Sequence, residues 1–143
     1  MADSIRKTQR TTSPKPARAR RTHGTEIQIG ARLRIVLGKD IAIGPGKADI
    51  LEGIRETGSI AAAGRRLGMS YKRAWLLVES MNRCFKKPLV EATKGGRTGG
   101  GAHLTALGEE VLQRYRSMQT LAEAAIAGEV RAMLRLLARP SAK

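Results

Sequence analysis

This sequence has little of several features on which whole classes of protein depend. Its single cysteine, Cys84, excludes an internal disulfide and a cysteine-based zinc site, and it is typical of a reducing cytoplasm. The two histidines, His23 and His103, lie far apart in the sequence, so we predict no metal site and no other cofactor. No apolar run approaches the roughly 20 residues of a membrane-spanning helix. The basic N-terminus is not followed by the apolar segment of a secretory signal.

Aromatic and acidic residues are also scarce. Aromatic residues make up 3% of the chain, which is few for a protein that stacks unpaired bases on exposed rings. Only 12 acidic residues face 27 lysines and arginines, which gives a formal net charge of +15. This surplus favours a polyanionic partner, nucleic acid first and an anionic membrane surface second. The shortage of aromatic residues makes duplex DNA the better prediction.

The acidic residues form no recognisable catalytic arrangement. The sequence has no nucleophile–histidine–acid set, so we do not predict an enzyme. Most acids are expected to be solvated or paired with basic residues one turn away on helices. They are Asp49, Glu52, Glu56, Glu109 and Glu110.

The first 26 residues are basic and nearly free of apolar side chains, so we expect a disordered arm in isolation. Two interpretations are open: a flexible arm that adds phosphate or minor-groove contacts, and a solubilising tail without a specific role. Its basic residues are Arg6, Lys7, Arg10, Lys15, Arg18, Arg20 and Arg21.

The segment after this arm predicts a strand followed by three helices. Apolar and other residues alternate over 33–37, which is the period of a strand, and 41–43 either continue it or pair with it. A first helix is predicted over 47–56, ended by Thr57-Gly58. Ser59 caps a second helix over 60–67, and Gly68 provides the turn into a third helix capped by Ser70. The small residues 61–64 permit close helix approach, as a helix-turn-helix requires.

The third helix has one apolar and one polar face. With Ala74 at the centre of the buried side, Leu77, Val78 and Met81 lie beside it. Lys72 and Arg73 lie near the N-terminus of the helix, where free peptide N–H groups also attract anions. We expect Arg73 to read guanine, and Lys72 to contact a base or a phosphate. Tyr71 is expected to reach a phosphate, and Trp75 is expected to be structural rather than a ligand.

Residues 89–105 predict a β-hairpin with a glycine-rich basic tip, which is the form of a wing. Strands are predicted over 89–93 and 102–105, with Lys94 and Arg97 in the loop over 94–101. A nucleotide phosphate loop is the rival interpretation. It fails because no Lys-Ser or Lys-Thr pair follows the last glycine, and the GPGK sequence at 44–47 lacks the upstream glycine at the required spacing.

Thr105 is predicted to cap a final helix that reaches about Leu137. An apolar stripe along this helix is longer than so small a domain can cover, which favours pairing with a second copy of the chain. The alternative is a helix that folds back on its own domain. The stripe consists of Val111, Tyr115, Met118, Ala122, Ile126 (or Ala125), Val130, Met133 and Leu137.

The blocks GSIAAAGRRLGMSYKRAW and KGGRTGGGAHLT resemble the N-terminal DNA-binding domain of the ModE family, molybdate-responsive bacterial regulators related to LysR-type proteins. The resemblance covers roughly Leu33 to Leu137. It implies that 59–67 is the positioning helix, 70–84 the recognition helix and 94–101 the wing, and that the last helix joins two protomers. Full-length family members carry further oxyanion-binding domains beyond this helix, and the resemblance does not extend to those domains. It therefore favours DNA binding over molybdate sensing. A separate protein is a candidate effector sensor.

The sequence therefore predicts a mainly α fold with a small β wing: a basic arm (1–26), a winged helix-turn-helix domain (27–105) and a long dimerisation helix with a short tail (106–143). We expect a cytoplasmic homodimer, associated with the nucleoid and not with membranes, that binds double-stranded DNA specifically and regulates transcription. The alternative is a sequence-indifferent nucleoid protein. The predicted DNA contacts are Arg65, Arg66, Ser70, Tyr71, Lys72, Arg73, Lys94, Arg97 and Thr98.

Overall fold

The computed structural model describes residues 31–93 and 101–138. The predicted arm, residues 27–30 of the predicted domain, and the wing residues Lys94, Arg97 and Thr98 lie outside these residues. The described part has two antiparallel two-stranded sheets and four helices. In chain order these are β1 (Ile35–Leu37), β2 (Asp40–Ile43), α1 (Pro45–Thr57), α2 (Ile60–Arg66), α3 (Tyr71–Cys84), β3 (Val90–Thr93), β4 (Gly101–Leu104) and α4 (Ala106–Leu136).

The helix ends agree with the predicted capping residues. Ser59 Oγ accepts from the N–H of Ala62, and Ser70 Oγ accepts from the N–H of Arg73 at 3.2 Å. Gly58 and Gly68 end their helical turns at φ +71°, a left-handed conformation that glycine adopts without a Cβ penalty. These local signals set the three short helices and the two turns between them.

The core lies where α1, α2 and α3 meet the wing strands and the start of α4. Its fully buried side chains include Ile50, Leu51 and Ile54 of α1 together with Met81 of α3. One face of α1 is therefore apolar and buried, with both Ile50 and Leu51 in the core. The mainly α fold with a small β wing and a long last helix is confirmed.

The N-terminal hairpin differs from the predicted alternation of buried and exposed residues. β1 pairs with β2, with Ile35 opposite Ile43, but all three residues of β1 are exposed. β2 instead provides the buried residues Ala42 and Ile43. The physical reason is that β2 packs against α3 and leaves β1 as an outer strand, so the alternation of β1 does not separate a core face from a solvent face.

The first three turns of α4 belong to the core of their own domain. Gly108, Leu112 and Tyr115 are buried, and the hydroxyl of Tyr115 donates to the carbonyl of Leu33 at 2.8 Å. With 1% of its surface exposed, Tyr115 offers nothing to a second protomer, so its predicted place in the dimer seam is wrong. Val111 also packs partly buried against this core.

Within residues 31–93 and 101–138, no helix combines the length and apolar character that crossing a bilayer demands.

Candidate DNA-binding surface

The N-terminal half of α3 presents two cations on the surface of the domain. Lys72 and Arg73 are both exposed, while Ala74 and Val78 of the same helix are buried. No salt bridge is recorded for either cation within 31–93 and 101–138. The N-terminal N–H groups of the helix lie beside them, and Ser70 satisfies one of these groups. The arrangement combines positive charge with a helix end that attracts anions.

Close packing between α1, α2 and α3 holds α3 in its orientation relative to the other two helices. A Cβ added to Gly64 of α2 would lie 3.0 Å from the Cβ of Ala74 in α3, and one on Gly53 of α1 would lie 2.9 Å from the Cβ of Ala63. Side chains this small let the helix axes approach closely. The predicted role of the small residues in α2 agrees with this packing, and the contact holds α3 rigidly with its cationic face outward.

Lys47 contacts the other side of α3, a role that no pattern in the sequence indicates. Its ammonium group donates to the carbonyl of Ile41 and, at 3.0 Å, to Ser80 Oγ of α3. The residue is buried, and desolvation lowers the pKa of Lys47. Its amine is therefore occupied by internal contacts, which is a second reason why the GPGK sequence is not a phosphate loop.

Asn82 joins α3 to the wing and was also missed. Its side-chain oxygen accepts from the N–H groups of Leu89 (2.8 Å) and Val90 (3.2 Å), and its amide donates to the carbonyl of Val90. An asparagine that satisfies three backbone groups fixes where the first wing strand begins. In the sequence, the one sign of this role is that polar Asn82 lies one helical turn after Val78, on the buried side of α3. Its hydrogen-bond partners depend on the tertiary fold and cannot be predicted from the sequence.

The base of the wing is built on the turn between α1 and α2. β3 and β4 pair with Val90 opposite Leu104 and Thr93 opposite Gly101. The N–H of Ala102 donates to the carbonyl of Gly58 at 2.9 Å. The hairpin is therefore tied to the helix-turn-helix at its base, and the predicted contacts at its tip lie outside the described residues.

A groove of about 330 Å³ separates α3 from the wing strands. Tyr71 and Trp75 line its helix side, and Ala92 and Gly101 line its strand side. Trp75 is 45% exposed and Tyr71 60% exposed, so Trp75 is a groove wall rather than a core residue. Leu76 of α3 is exposed as well.

The two arginines of α2 have different surroundings. Arg65 is exposed, whereas Arg66 pairs with Glu56 of α1. This ion pair crosses between helices and lies half-exposed, so water screens it. The predicted DNA contact of Arg66 therefore competes with an internal ion pair, which no pattern in the sequence indicates.

A polar network joins α4 to α1. Arg116 of α4 lies 3.0 Å from carboxylate oxygens of both Asp49 and Glu52. Burial alone would lower the pKa of Arg116, but hydrogen bonds and charges from the two acids outweigh it and raise the pKa. The residues described contain no cluster of histidine, cysteine or acids fit to hold a metal ion.

Comparison with known proteins points to one family. Residues 47–109 match the family described as bacterial regulatory helix-turn-helix protein, lysR family. The chain is 38% identical over 99 residues to the transcriptional regulator ModE of Yersinia pestis, covering 69% of this chain and 38% of that protein. This chain thus has a helix-turn-helix domain that is similar to those of LysR-family regulators and of ModE. The predicted resemblance to ModE is therefore confirmed.

Two further proteins are similar to this chain. The molybdenum-pterin-binding protein MopA of Rhodobacter capsulatus is 44% identical over 73 residues, which are 51% of this chain and 28% of MopA. A solved structure described as the CbnR_DBD–DNA complex is 25% identical, with a TM-score of 0.49, and covers 62% of this chain and 95% of that one. The chain thus spans little more than a third of ModE and less than a third of MopA.

Proposed function

We propose that this chain binds double-stranded DNA in a sequence-specific manner as a homodimer and thereby regulates transcription in the cytoplasm. The observation that carries the proposal is the placement of Lys72 and Arg73. Both project from the outer side of α3 near its N-terminus, while the opposite side of the helix is packed into the core. A helix mounted in this way fits the major groove with its N-terminal residues against base edges.

Charge supports a DNA partner independently of the shape of the domain. A formal net charge of +15 attracts the phosphate backbone and releases counterions on binding. Arg65, Arg66 and the wing residues Lys94, Arg97 and Thr98 are the proposed backbone contacts. Ser70 and the hydroxyl of Tyr71 are proposed to contact a phosphate at the N-terminus of α3. Base reading is assigned to Arg73, and Lys72 contacts a base or a phosphate.

The groove beside α3 is the proposed path of one sugar-phosphate backbone. With α3 in the major groove and the wing against the backbone or the adjacent minor groove, one DNA strand passes between them. Tyr71 and Trp75 then offer ring surface to the deoxyribose, and the peptide backbone of Gly101 borders the groove without a Cβ.

The exposed part of the α4 stripe is the proposed dimer seam. Ile126, Met133 and Leu137 are exposed, and they continue the helix face that buries Tyr115 in the first half of α4. Ala122 and Val130, both partly exposed, fill the positions between them. An apolar face of this length is best buried against its own symmetry mate, which predicts a pseudo-palindromic DNA site.

Selection of bound duplexes from a random pool tests the proposal. We expect an enriched palindrome, and we expect Arg73→Ala to remove the preference at one or two base pairs, since a bidentate arginine–guanine contact contributes about 1–3 kcal/mol of discrimination. Arg83→Ala is the matched control, because Arg83 is an exposed arginine near the other end of α3. Lys94→Ala and Arg97→Ala should weaken binding to all sequences about equally. Enrichment of no sequence, with steep salt dependence, would instead indicate a sequence-indifferent protein.

A further inference from the structure

Arg116 connects the long helix α4 to the first helix of the DNA-binding fold. Its Nη2 lies 3.0 Å from Asp49 Oδ1 and 3.0 Å from Glu52 Oε2, and both acids are on α1. Its Nη1 donates to the side chain of Gln119 at 3.0 Å, which orients the guanidinium from its own helix. The side chain is 34% exposed, so these contacts are partly shielded from water.

A second arginine crosses the same interface in the opposite direction. Arg55 of α1 lies 3.6 Å from Glu109 of α4 and 3.7 Å from Glu52. Glu52 is therefore shared between Arg55 and Arg116. The result is one network across the interface rather than an isolated surface pair, and networks of this kind hold their geometry better than single exposed pairs.

The network lies where α4 leaves the core of its domain. Beyond Arg116, within the described residues, α4 hydrogen-bonds to the N-terminal segment through Gln119 and Glu123, which contact the backbone of Ala31. Tyr115 is the last buried residue of α4, and Arg116 follows it directly. From Arg116 to the end of the helix at Leu136 is about 30 Å at 1.5 Å per residue. A change of about 10° in the direction of α4 at Arg116 would therefore move its far end by about 5 Å, which exceeds the 3.4 Å step between base pairs.

We propose that Arg116 is a positioning residue that fixes the direction of α4 relative to α1–α3, and so determines which separation between two DNA half-sites the dimer binds. This inference rests on the proposed function, because it assumes that α4 joins two DNA-binding domains. A stiff connection raises the effective concentration of the second domain at one spacing, whereas a loose connection spreads it over several spacings. Recognition of bases within one half-site does not depend on Arg116.

The test compares duplexes that carry the two selected half-sites at the preferred spacing and at spacings one and two base pairs longer and shorter. The variants are Arg116→Gln and, as a matched control, Arg114→Gln. Arg114 is an arginine of the same helix whose partner Glu110 is also on α4, so its pair does not cross the interface. We expect the affinity ratio between preferred and altered spacings to fall about fivefold or more in Arg116→Gln. The ratio should be unchanged in Arg114→Gln, and affinity for a single half-site should be unchanged in both.

An equal loss of affinity at every spacing would mean that Arg116 only stabilises the fold, and it would overturn the proposal. Glu52→Gln provides a second variant if Arg116→Gln folds poorly, since it leaves Asp49 as a partner of Arg116. It should show a smaller reduction of the spacing ratio, and an unchanged ratio would also count against the proposal.

A measurement without DNA separates this inference from the proposed function. Spin labels at Lys86→Cys, on the body, and Arg131→Cys, on α4, in a Cys84→Ser background report the direction of α4 by pulsed electron resonance. Labelled protein is diluted with unlabelled protein, so that distances within one chain dominate. We expect a broader distance distribution in Arg116→Gln and an unchanged one in Arg114→Gln. If the wild-type protein binds no duplex but this broadening is seen, the proposed function fails while α4 is still oriented by Arg116. Identical distance distributions in the wild type and in Arg116→Gln would refute the orienting role itself.

Discussion

The first three turns of α4 and its last four turns carry apolar residues on the same face of one helix, yet among residues 31–93 and 101–138 only the first three turns are covered. Leu112 and Tyr115 are at most 1% exposed, whereas Met133 is 60% exposed. Within the described residues, the segment from Ala31 to Leu33 crosses the helix at Tyr115, Gln119 and Glu123. The apolar stripe of α4, which is continuous in the sequence, thus forms two different surfaces in the molecule. The first part packs inside its own domain, and the second part is the surface proposed to bind a partner protomer.

This contrast teaches that periodicity identifies the buried face of a helix but not the element that buries it. The first half of α4 stabilises the domain that carries α3, so substitutions there should lower the stability of every protomer. The second half adds nothing to that core, so substitutions there should change association instead.

Two glycines of α4 provide the largest expected contrast. A Cβ at Gly108 would lie 3.0 Å from the carbonyl carbon of Leu89 and closer still to its oxygen, whereas at Gly128 the nearest atom, Arg131 Nη2, is 3.9 Å away. We expect Gly108→Ala to lower the free energy of unfolding by about 3 kcal/mol, because the backbone of Leu89 cannot move aside. Gly128→Ala should raise it by about 0.5–1 kcal/mol, because alanine favours the helix.

Urea denaturation at one fixed protomer concentration measures both glycine variants, since the stability of a dimer depends on concentration. Similar effects of the two substitutions would show that the halves of α4 are not divided as described. A destabilised Gly128→Ala would show that the second half is also packed closely against another surface.

A charge in the second half of α4 is expected to separate the protomers without unfolding them. Ile126→Glu would place a carboxylate in the proposed seam, and we expect the dimer dissociation constant to rise about 100-fold, which corresponds to nearly 3 kcal/mol. Leu121→Glu is the control, because Leu121 is exposed and lies about 140° around the helix from Ile126. Sedimentation velocity measures both. Dissociation by Leu121→Glu but not by Ile126→Glu would place the seam on a different face.

Local chemistry explains which parts of the fold could be predicted from the sequence. Ser59, Ser70 and Thr105 cap helices within three residues of their own position, and Gly58 and Gly68 act within single turns. The exposure of Lys72 and Arg73 followed from the helical period of their neighbours. All of these predictions need only contacts that are close in the sequence.

The remaining features depend on contacts between residues that are distant in the sequence. Tyr115 was assigned to the dimer because nothing in the stripe indicates that residues 31–33 cross it, 82 positions away. The internal pairing of Arg66 and the buried amine of Lys47 likewise depend on how α1, α2 and α3 pack. Asn82 is an ordinary helix residue until Leu89 and Val90 are brought against it.

The smallest expected effect concerns the hydroxyl that fastens the first half of α4 to the N-terminal segment. Tyr115→Phe removes the hydrogen bond to the carbonyl of Leu33 and is expected to lower the free energy of unfolding by about 1 kcal/mol at neutral pH. Burial raises the pKa of Tyr115 above 10.0, so its contribution is present below pH 10 and is lost as the pH rises through the folded-state pKa. The difference between wild type and Tyr115→Phe should therefore shrink in alkaline solution. Tyr71→Phe, at an exposed tyrosine, should leave the free energy of unfolding unchanged at neutral and at alkaline pH. If the stability difference between wild type and Tyr115→Phe stays constant above pH 10, the proton of Tyr115 does not hold α4 in place.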